Sequence, residues 1–317
     1  MGAFGGYWGQ WWTGDILLGM VAGAAAGTSL AALMALLSVT ARSDQIVVGV
    51  GLNLFAIGLT TFSFREVFGD RGEIVLDRMG TMSIPVLSAL PAIGDALFSQ
   101  TAATYATWLI VALTWFVLYR TSWGLALRAV GEVPAAADTA GISIAVRRWQ
   151  AVLVTGALAG LAGSILSIVQ LGLFQENMSA GRGFLALAAV IFGRWRPLGV
   201  AGACFVFGGA DALQLRLQAE EHVPPEVWLF FGMVALVAAA WLFARSGRRA
   251  SPRALGTLVA LATIGFALRA AAPEWSFPAQ LWLALPFVVT LAALSGIAGA
   301  GAAPAAIAIP YRRDRDV

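Results

Sequence analysis

The chain has no lysine, one cysteine (Cys204), one histidine (His222) and little charge of either sign, with Asp, Glu, Lys and Arg making up 12% of its 317 residues. A single cysteine excludes a disulfide framework, and one His with one Cys excludes a His/Cys metal site built within the chain. All 20 basic residues are arginine, which reads as a coding bias without functional weight. The arginines stand at the ends of apolar runs rather than in a patch, so the net charge of +3 points to no nucleic-acid partner. No Ser/His, His/Glu or acid-pair constellation supports an enzyme. The GxxxxGK[ST] loop that cradles nucleotide phosphates is also missing.

Apolar residues are abundant instead. They make up 59% of the chain, and the mean hydropathy is +0.81. A soluble domain carries about 25% charged residues, twice the fraction seen here. Crossing ~30 Å of hydrocarbon takes about 20 helical residues, and the apolar runs 16–40, 46–64, 103–118, 149–169, 199–217, 227–244, 254–271 and 280–298 are of that order. The sequence therefore predicts an all-α integral membrane protein, a polytopic helical bundle of about seven to eight spans. Segment 84–97 is broken by Pro85 and Pro91 and reads as re-entrant or surface-lying. The apolar run 185–192 rises only ~12–15 Å as a helix. It predicts a half-helix, tolerated at depth only where protein or a water-filled cavity surrounds it.

Between the runs 103–118 and 149–169 lies a charged, Ala/Gly-punctuated island with Arg120, Arg128, Arg147 and Arg148 against Glu132 and Asp138. Basic loops stay on the cytoplasmic side. With the island inside, the arginine-rich 245–253 loop and the tail also fall inside, and the acidic 218–226 loop falls outside. The same parity places 1–13 outside. That segment has no charge and contains Tyr7, Trp8, Trp11 and Trp12, which predicts an interfacial aromatic belt. Within the island a short amphipathic helix with a glycine stop is expected. Pro134 suits a first helical turn, and Gly141 suits a left-handed helix stop.

The island, the runs Glu176-Asn177-Met178-Ser179-Ala180-Gly181-Arg182-Gly183-Phe184 and Ala188-Ala189-Val190-Ile191-Phe192-Gly193-Arg194-Trp195, the segment VVGVGLNLFAIGLTT at 47–61, DALQLRL at 211–217 and the terminal Pro310-Tyr311-Arg312 resemble the permease subunit of an ABC importer. The group is that of branched-chain amino acid, ribose and nucleoside permeases, and the likeness is greatest to its nucleoside/simple-sugar branch. It covers nearly all of 1–217 and resumes near 280. It implies a multi-pass subunit of the plasma (inner) membrane with a cytoplasmic C-terminus, translocating nucleosides or simple sugars. The implied partners are a cytoplasmic ABC ATPase, a second permease subunit (the same or a related chain), an extracytoplasmic substrate-binding protein and membrane lipid. No cofactor is expected in this chain, ATP and Mg belonging to the partner ATPase. Branched-chain amino acids are the alternative substrate. An ion-coupled secondary transporter is the alternative class, needing paired acids or broken helices in two related halves.

On this reading Arg128, Gly131, Glu132, Ala136, Asp138 and Gly141 couple the chain to the ATPase, small residues seating a helix in a groove and Arg128 and Glu132 adding polar contacts. The bland alternative is a solvated loop. Pathway candidates are Asn53, Gln170, Glu176, Asn177, Arg182 and Asp211. Asn53 is a polar group inside an apolar helix, which faces a pathway or makes an interhelical hydrogen bond. Asp211 lines the pathway or belongs to an ion pair near the span end, with Arg216 the nearest cation but at a poor helical spacing. Gln170, Glu176, Asn177 and Arg182 line an outer vestibule, dock the binding protein, or form an ordinary polar loop. The glycines from Gly156 through Gly209 read as close helix packing, Cys204 as a small packed side chain and His222 as solvated. The likeness to the family sets the expected domains at 1–226 for a permease core lacking its first membrane segment, 227–272 for an inserted transmembrane hairpin and 273–317 for the last span and tail. The late start relative to the family predicts an internal initiation site or a fragment.

Overall fold

The computed structural model describes residues 1–69, 74–83, 98–219, 252–271 and 303–307, with the single positions 228, 232, 282, 284, 309 and 311. They fall into two compact units, Met1–Ala201 with Ala300–Val317, and Gly202–Gly299.

The first unit begins with a helical hairpin, α1 (Gly2–Thr13) and α2 (Ile16–Ala35). Gly14 closes α1 at φ 73°, a left-handed conformation that glycine adopts without a Cβ penalty. The Asp15 carboxylate then accepts from the N–H groups of Leu17 and Leu18 at 2.7 and 3.1 Å. Asp44 starts α3 (Gln45–Phe68) in the same way, accepting from Ile46 and Val47 at 2.8 and 3.2 Å. These bonds satisfy donors that the first helical turn leaves unpaired. Asp44→Ala is expected to destabilise the protein by about 1 kcal/mol, read as a lower Tm in detergent; an unchanged Tm would contradict the cap.

A small ribbon follows α3, pairing β1 (Thr81–Ser83) antiparallel with β2 (Ser99–Thr101), Met82 opposite Gln100. It is an addition to the all-α expectation. Next come α4 (Ala102–Arg120), α5 (Ser122–Glu132), α6 (Pro134–Thr139) and α7 (Ile144–Ser164). Helix α2 continues through a π-turn at Leu36–Thr40 and α7 through one at Ile165–Leu171. The short α8 (Arg182–Phe192) leads into α9 (Pro197–Ala219), which runs into the second unit. There Leu213 and Leu217 of α9 pack with Trp228 and Trp282, and Pro252–Ala271 forms α10.

Among the described residues five helices are long and apolar enough to cross a membrane: Ile16–Thr40, Gln45–Phe68, Ala102–Arg120, Ile144–Leu171 and Pro197–Gln218. Each coincides with a run expected to span. The re-entrant 84–97 segment, His222, most of the acidic 218–226 loop, the first arm of the hairpin and the last span lie outside the described residues. Helix α8 is the expected half-helix, beginning three residues earlier than the apolar run; its 11 residues rise only ~17 Å.

Segment 1–13 forms a helix whose glycine face packs against α2 and α7. Gly2, Gly5, Gly6 and Gly9 recur at i, i+3, i+4 and i+7, one helical face. A Cβ at Gly2 would meet Gly160 of α7, one at Gly5 would meet Ala26 of α2, and one at Gly6 would lie 2.8 Å from Ser164. Tyr7 is 1% exposed, whereas Trp8 and Trp12 on the other side are 47% and 80% exposed. Lipid tails are as apolar as leucine, so apolar burial does not drive helices together in a membrane; close backbone approach and dispersion do. Helices α2 and α7 use the same device, Gly23 and Gly27 facing Gly156 and Gly160. The packing role expected of the glycines holds at Gly156, Gly160 and Gly163.

Candidate functional site

The basic island forms one end of the first unit. Thr121 starts α5, its Oγ1 accepting from Gly124 N–H at 3.1 Å and donating to Val117 O at 2.6 Å. At Gly124 a Cβ would lie 2.6 Å from Leu118 Cα, so glycine is what lets α5 fold back on the end of α4. Gly124, Ala126 and Val130 form the buried face of α5. The sequence anticipated one helix with a glycine stop; the island instead holds two helices, broken at Val133-Pro134. The local signal was present in Thr121 as a cap and in Pro134 at the first turn of α6, since proline opens a helix but cannot continue one.

Helix α6 ends in a paired-bond stop. Gly141 N–H donates to Asp138 O and Ile142 N–H to Ala137 O, both at 2.9 Å, while Gly141 sits at φ 81°. This is the Schellman geometry, completed by an apolar contact across the stop: Ile142 packs on the cluster of Val130, Ala137 and Ile144. Ala136 and Gly141 are exposed, as is Glu132, and Val133 is 56% exposed. The presented surface is therefore small, with one apolar knob and an acid beside it. The Arg128 guanidinium lies 4.9 Å from the centre of the Tyr119 ring, a cation–π contact. Gly131 carbonyl accepts from Ala306 N–H at 3.0 Å, and Asp138 Oδ2 accepts from the Tyr311 hydroxyl at 3.1 Å.

Gln150 ties the island to α7, its Oε1 accepting from Trp123 Nε1 at 2.8 Å and Arg147 Nη1 at 3.2 Å. Trp149 Nε1 donates to Thr40 Oγ1 at 3.0 Å, linking the end of α2. Arg42, in the α2–α3 link, shares with Asp138, Gly141–Ala145 and Tyr311 a cavity of about 450 Å³.

At the opposite end of the unit, Arg65 and Glu176 form a bidentate pair, Nε–Oε1 2.8 Å and Nη2–Oε2 3.0 Å. The hydrogen bond from Arg65 holds the Glu176 carboxyl below its ordinary range, so the pair stays ionised at neutral pH. The pair ties α3 to the turn before α8. Asn177 sits in that turn at φ 57°, a conformation asparagine tolerates better than most side chains. Arg182 Nη1 donates to Met178 O at 3.0 Å. Gln170 is exposed on the π-turn that ends α7. The turn thus gathers Glu176, Asn177 and Arg182, with Gln170 just before it. Underneath lies an aromatic cluster in which Tyr7 touches Phe68 and Phe174 touches Phe64 at 5.2 and 5.0 Å between centroids. Tyr7 hydroxyl donates to Ile74 O and Gln10 Nε2 to Asp77 O, both at 2.8 Å.

Asn53 lies elsewhere. It is twelve positions before Arg65 on α3, ~18 Å along the axis. It lines a cavity of about 600 Å³ between α2, α3 and α7 with Gly49, Leu30, Met34, Thr155 and Gly156. Asp211 is half-buried on α9 in the second unit. Within the first unit, Asn53 therefore stands apart from Gln170, Glu176, Asn177 and Arg182. Arg65 and Tyr311 were missed in the sequence because their partners Glu176 and Asp138 are 111 and 173 positions away, and Gln150 because Trp123 reaches it from α5.

Residues 1–240 match the family model described as branched-chain amino acid transport system / permease component. A Haloferax volcanii protein assigned by name to glucose ABC transport, permease protein TsgC13, is 40% identical over 69% of this chain and 67% of its own length. The nucleoside ABC transporter permease protein NupC of Lactococcus lactis is 41% identical over 60% of this chain and 61% of its own. The guanosine ABC transporter permease protein NupQ of Bacillus subtilis is 35% identical over 62% of this chain and 63% of its own. Each match thus spans about two thirds of the relative. No solved structure matches. On the family match, which covers 240 of 317 residues and includes the island, the half-helix and the bundle around them, the chain belongs to the family of branched-chain amino acid transport system permease components.

Proposed function

We propose that this chain is the membrane-spanning subunit of an ATP-driven importer of nucleosides or simple sugars. The observation that carries the reading is the island: a six-residue helix opened by Pro134 and stopped at Gly141, presented between two spans with small side chains outward. Such a helix fits a groove on a cytoplasmic ATPase, which would hold the ATP and Mg. On this reading the island, the Arg42 link and the C-terminal segment face the cytoplasm of a plasma (inner) membrane. The Glu176–Arg182 turn faces the extracytoplasmic binding protein. Asn53, on the cavity between α2, α3 and α7, is the polar group of the pathway in the first unit. The second permease subunit is the same chain or a related one. Nucleosides rank first because nucleoside and guanosine transport appear in the names of two of the relatives above; sugars follow on the glucose relative.

The test is affinity purification of the chain from native membranes in mild detergent, with the tag beyond Val317, followed by mass spectrometry. An ATPase, a second permease and a binding protein in the eluate support the reading, and the binding protein then reports its ligand by thermal-shift screening. A chain that reproducibly purifies alone contradicts it. A second prediction concerns the far end. Glu176→Gln keeps the shape but loses the charge that Arg65 grips, so binding-protein-dependent uptake is expected to fall several-fold with normal accumulation of the chain. Unchanged uptake would make the pair a surface contact only.

A further inference from the structure

The C-terminal segment lies across the island although about 160 to 175 positions separate them in sequence. It touches every element there. Ala306 N–H donates to Gly131 O at the end of α5 (3.0 Å). Tyr311 hydroxyl donates to Asp138 Oδ2 on α6 (3.1 Å), and its ring packs on the Val130, Ala137 and Ile144 cluster. Arg148 Nη1, on α7, donates to Ile309 O (2.8 Å). A groove of about 230 Å³ lies between Val133–Ala135 on one side and Ala305, Ala306 and Ile309 of the tail on the other.

A six-residue helix has almost no stability of its own, because nucleation fixes several residues for the first hydrogen bond. What packs on α6 therefore sets its orientation. Its buried side is Ala137, 3% exposed, a side chain too small to anchor it alone. We propose that the tail is a latch on the coupling helix: Tyr311 is a positioning residue that holds α6 through Asp138, and Ala305, Ala306 and Ile309 form one wall of the surface offered to the ATPase. The latch rests on the reading of the island as that surface. It assigns the terminal segment a mechanical task, transmitting ATPase movement into α7 by way of Arg148 and Ile309 as well as through the α6–α7 turn.

The experiment uses the assembled complex in nanodiscs. Deuterium exchange over 134–142 and ATP hydrolysis per complex are measured for wild type, Tyr311→Phe, Asp138→Ala, the double variant and Gly141→Val. Tyr311→Phe keeps the ring and removes one hydroxyl, so the fold is retained. Exchange at α6 is expected to rise several-fold and hydrolysis to fall several-fold with the ATPase still bound. Asp138→Ala is expected to do the same, and the double variant to be no worse than either single one, the mark of a shared interaction. Unchanged exchange in Tyr311→Phe overturns the latch. Raised exchange with unchanged hydrolysis, or fully additive losses in the double variant, overturns its place in coupling. If Gly141→Val also leaves hydrolysis unchanged, the island itself is not the coupling surface; if Gly141→Val impairs hydrolysis and Tyr311→Phe does not, only the latch fails.

Discussion

Gly141→Val is expected to abolish ATP-driven uptake while the chain still accumulates and still co-purifies with its partners. The reason is conformational. Gly141 sits at φ 81° with nothing within 4 Å of where a Cβ would stand, so no clash can account for a loss. A left-handed backbone with a Cβ costs roughly 1–2 kcal/mol, and a β-branched side chain is worse placed there still. That strain falls on the paired bonds from Gly141 and Ile142 that end α6. A long helix would absorb it; six residues cannot. Asparagine visits this region readily, so Gly141→Asn is expected to retain most of the uptake. The contrast isolates the backbone conformation from side-chain size. Normal uptake by Gly141→Val would remove the coupling role from α6.

The largest loss of stability is expected from a single methyl group at Gly160. Helix propensity alone favours Ala over Gly by about 1 kcal/mol. At Gly160 the added Cβ would lie 2.9 Å from Ala24 Cα and 3.0 Å from Gly23 C, and closer still to Gly23 O. All three are backbone atoms of α2, so no side chain can swing away. Gly2 presses the same position from α1. Overpacking of this kind destabilises by ~1–3 kcal/mol, occasionally more, and outweighs the propensity gain. Gly160→Ala is therefore expected to lower the Tm in detergent and the amount of chain in the membrane, and Gly160→Val to prevent accumulation. Gly51→Ala on α3 is the control: its Cβ would meet nothing within 4 Å, so it should be neutral or mildly stabilising. A Gly160→Ala protein as stable as wild type would mean that α2 and α7 can separate without loss.

Much of this was readable in advance, for local reasons. Hydropathy sets which runs form spans, because no backbone group can go unsatisfied in hydrocarbon and a helix satisfies its own. Pro134, Gly141 and the length of 185–192 act within one turn of themselves, and their consequences appear where the local chemistry puts them. In segment 1–13 the composition showed the tryptophans but not the packing, because its glycine face acquires meaning only against Gly160 and Ser164, more than 150 positions away. The island residues are neighbours in the chain, whereas the surroundings of Asn53 and Glu176 depend on distant elements. Asn53 opens onto a cavity made by three helices, and Glu176 faces Arg65 rather than its sequence neighbours.

By itself, then, the sequence determined that this is a helical membrane protein, where the five described spans lie, and that a short glycine-stopped helix sits between two of them, since each follows from solvation or from backbone conformation within a few residues. Tertiary structure alone decided that the glycine face of α1 meets α7, that Arg65 holds Glu176, and that Tyr311 reaches Asp138. The two side-chain pairs lie 111 and 173 positions apart, and no local rule specifies which distant surface a small or polar side chain will meet once the helices pack.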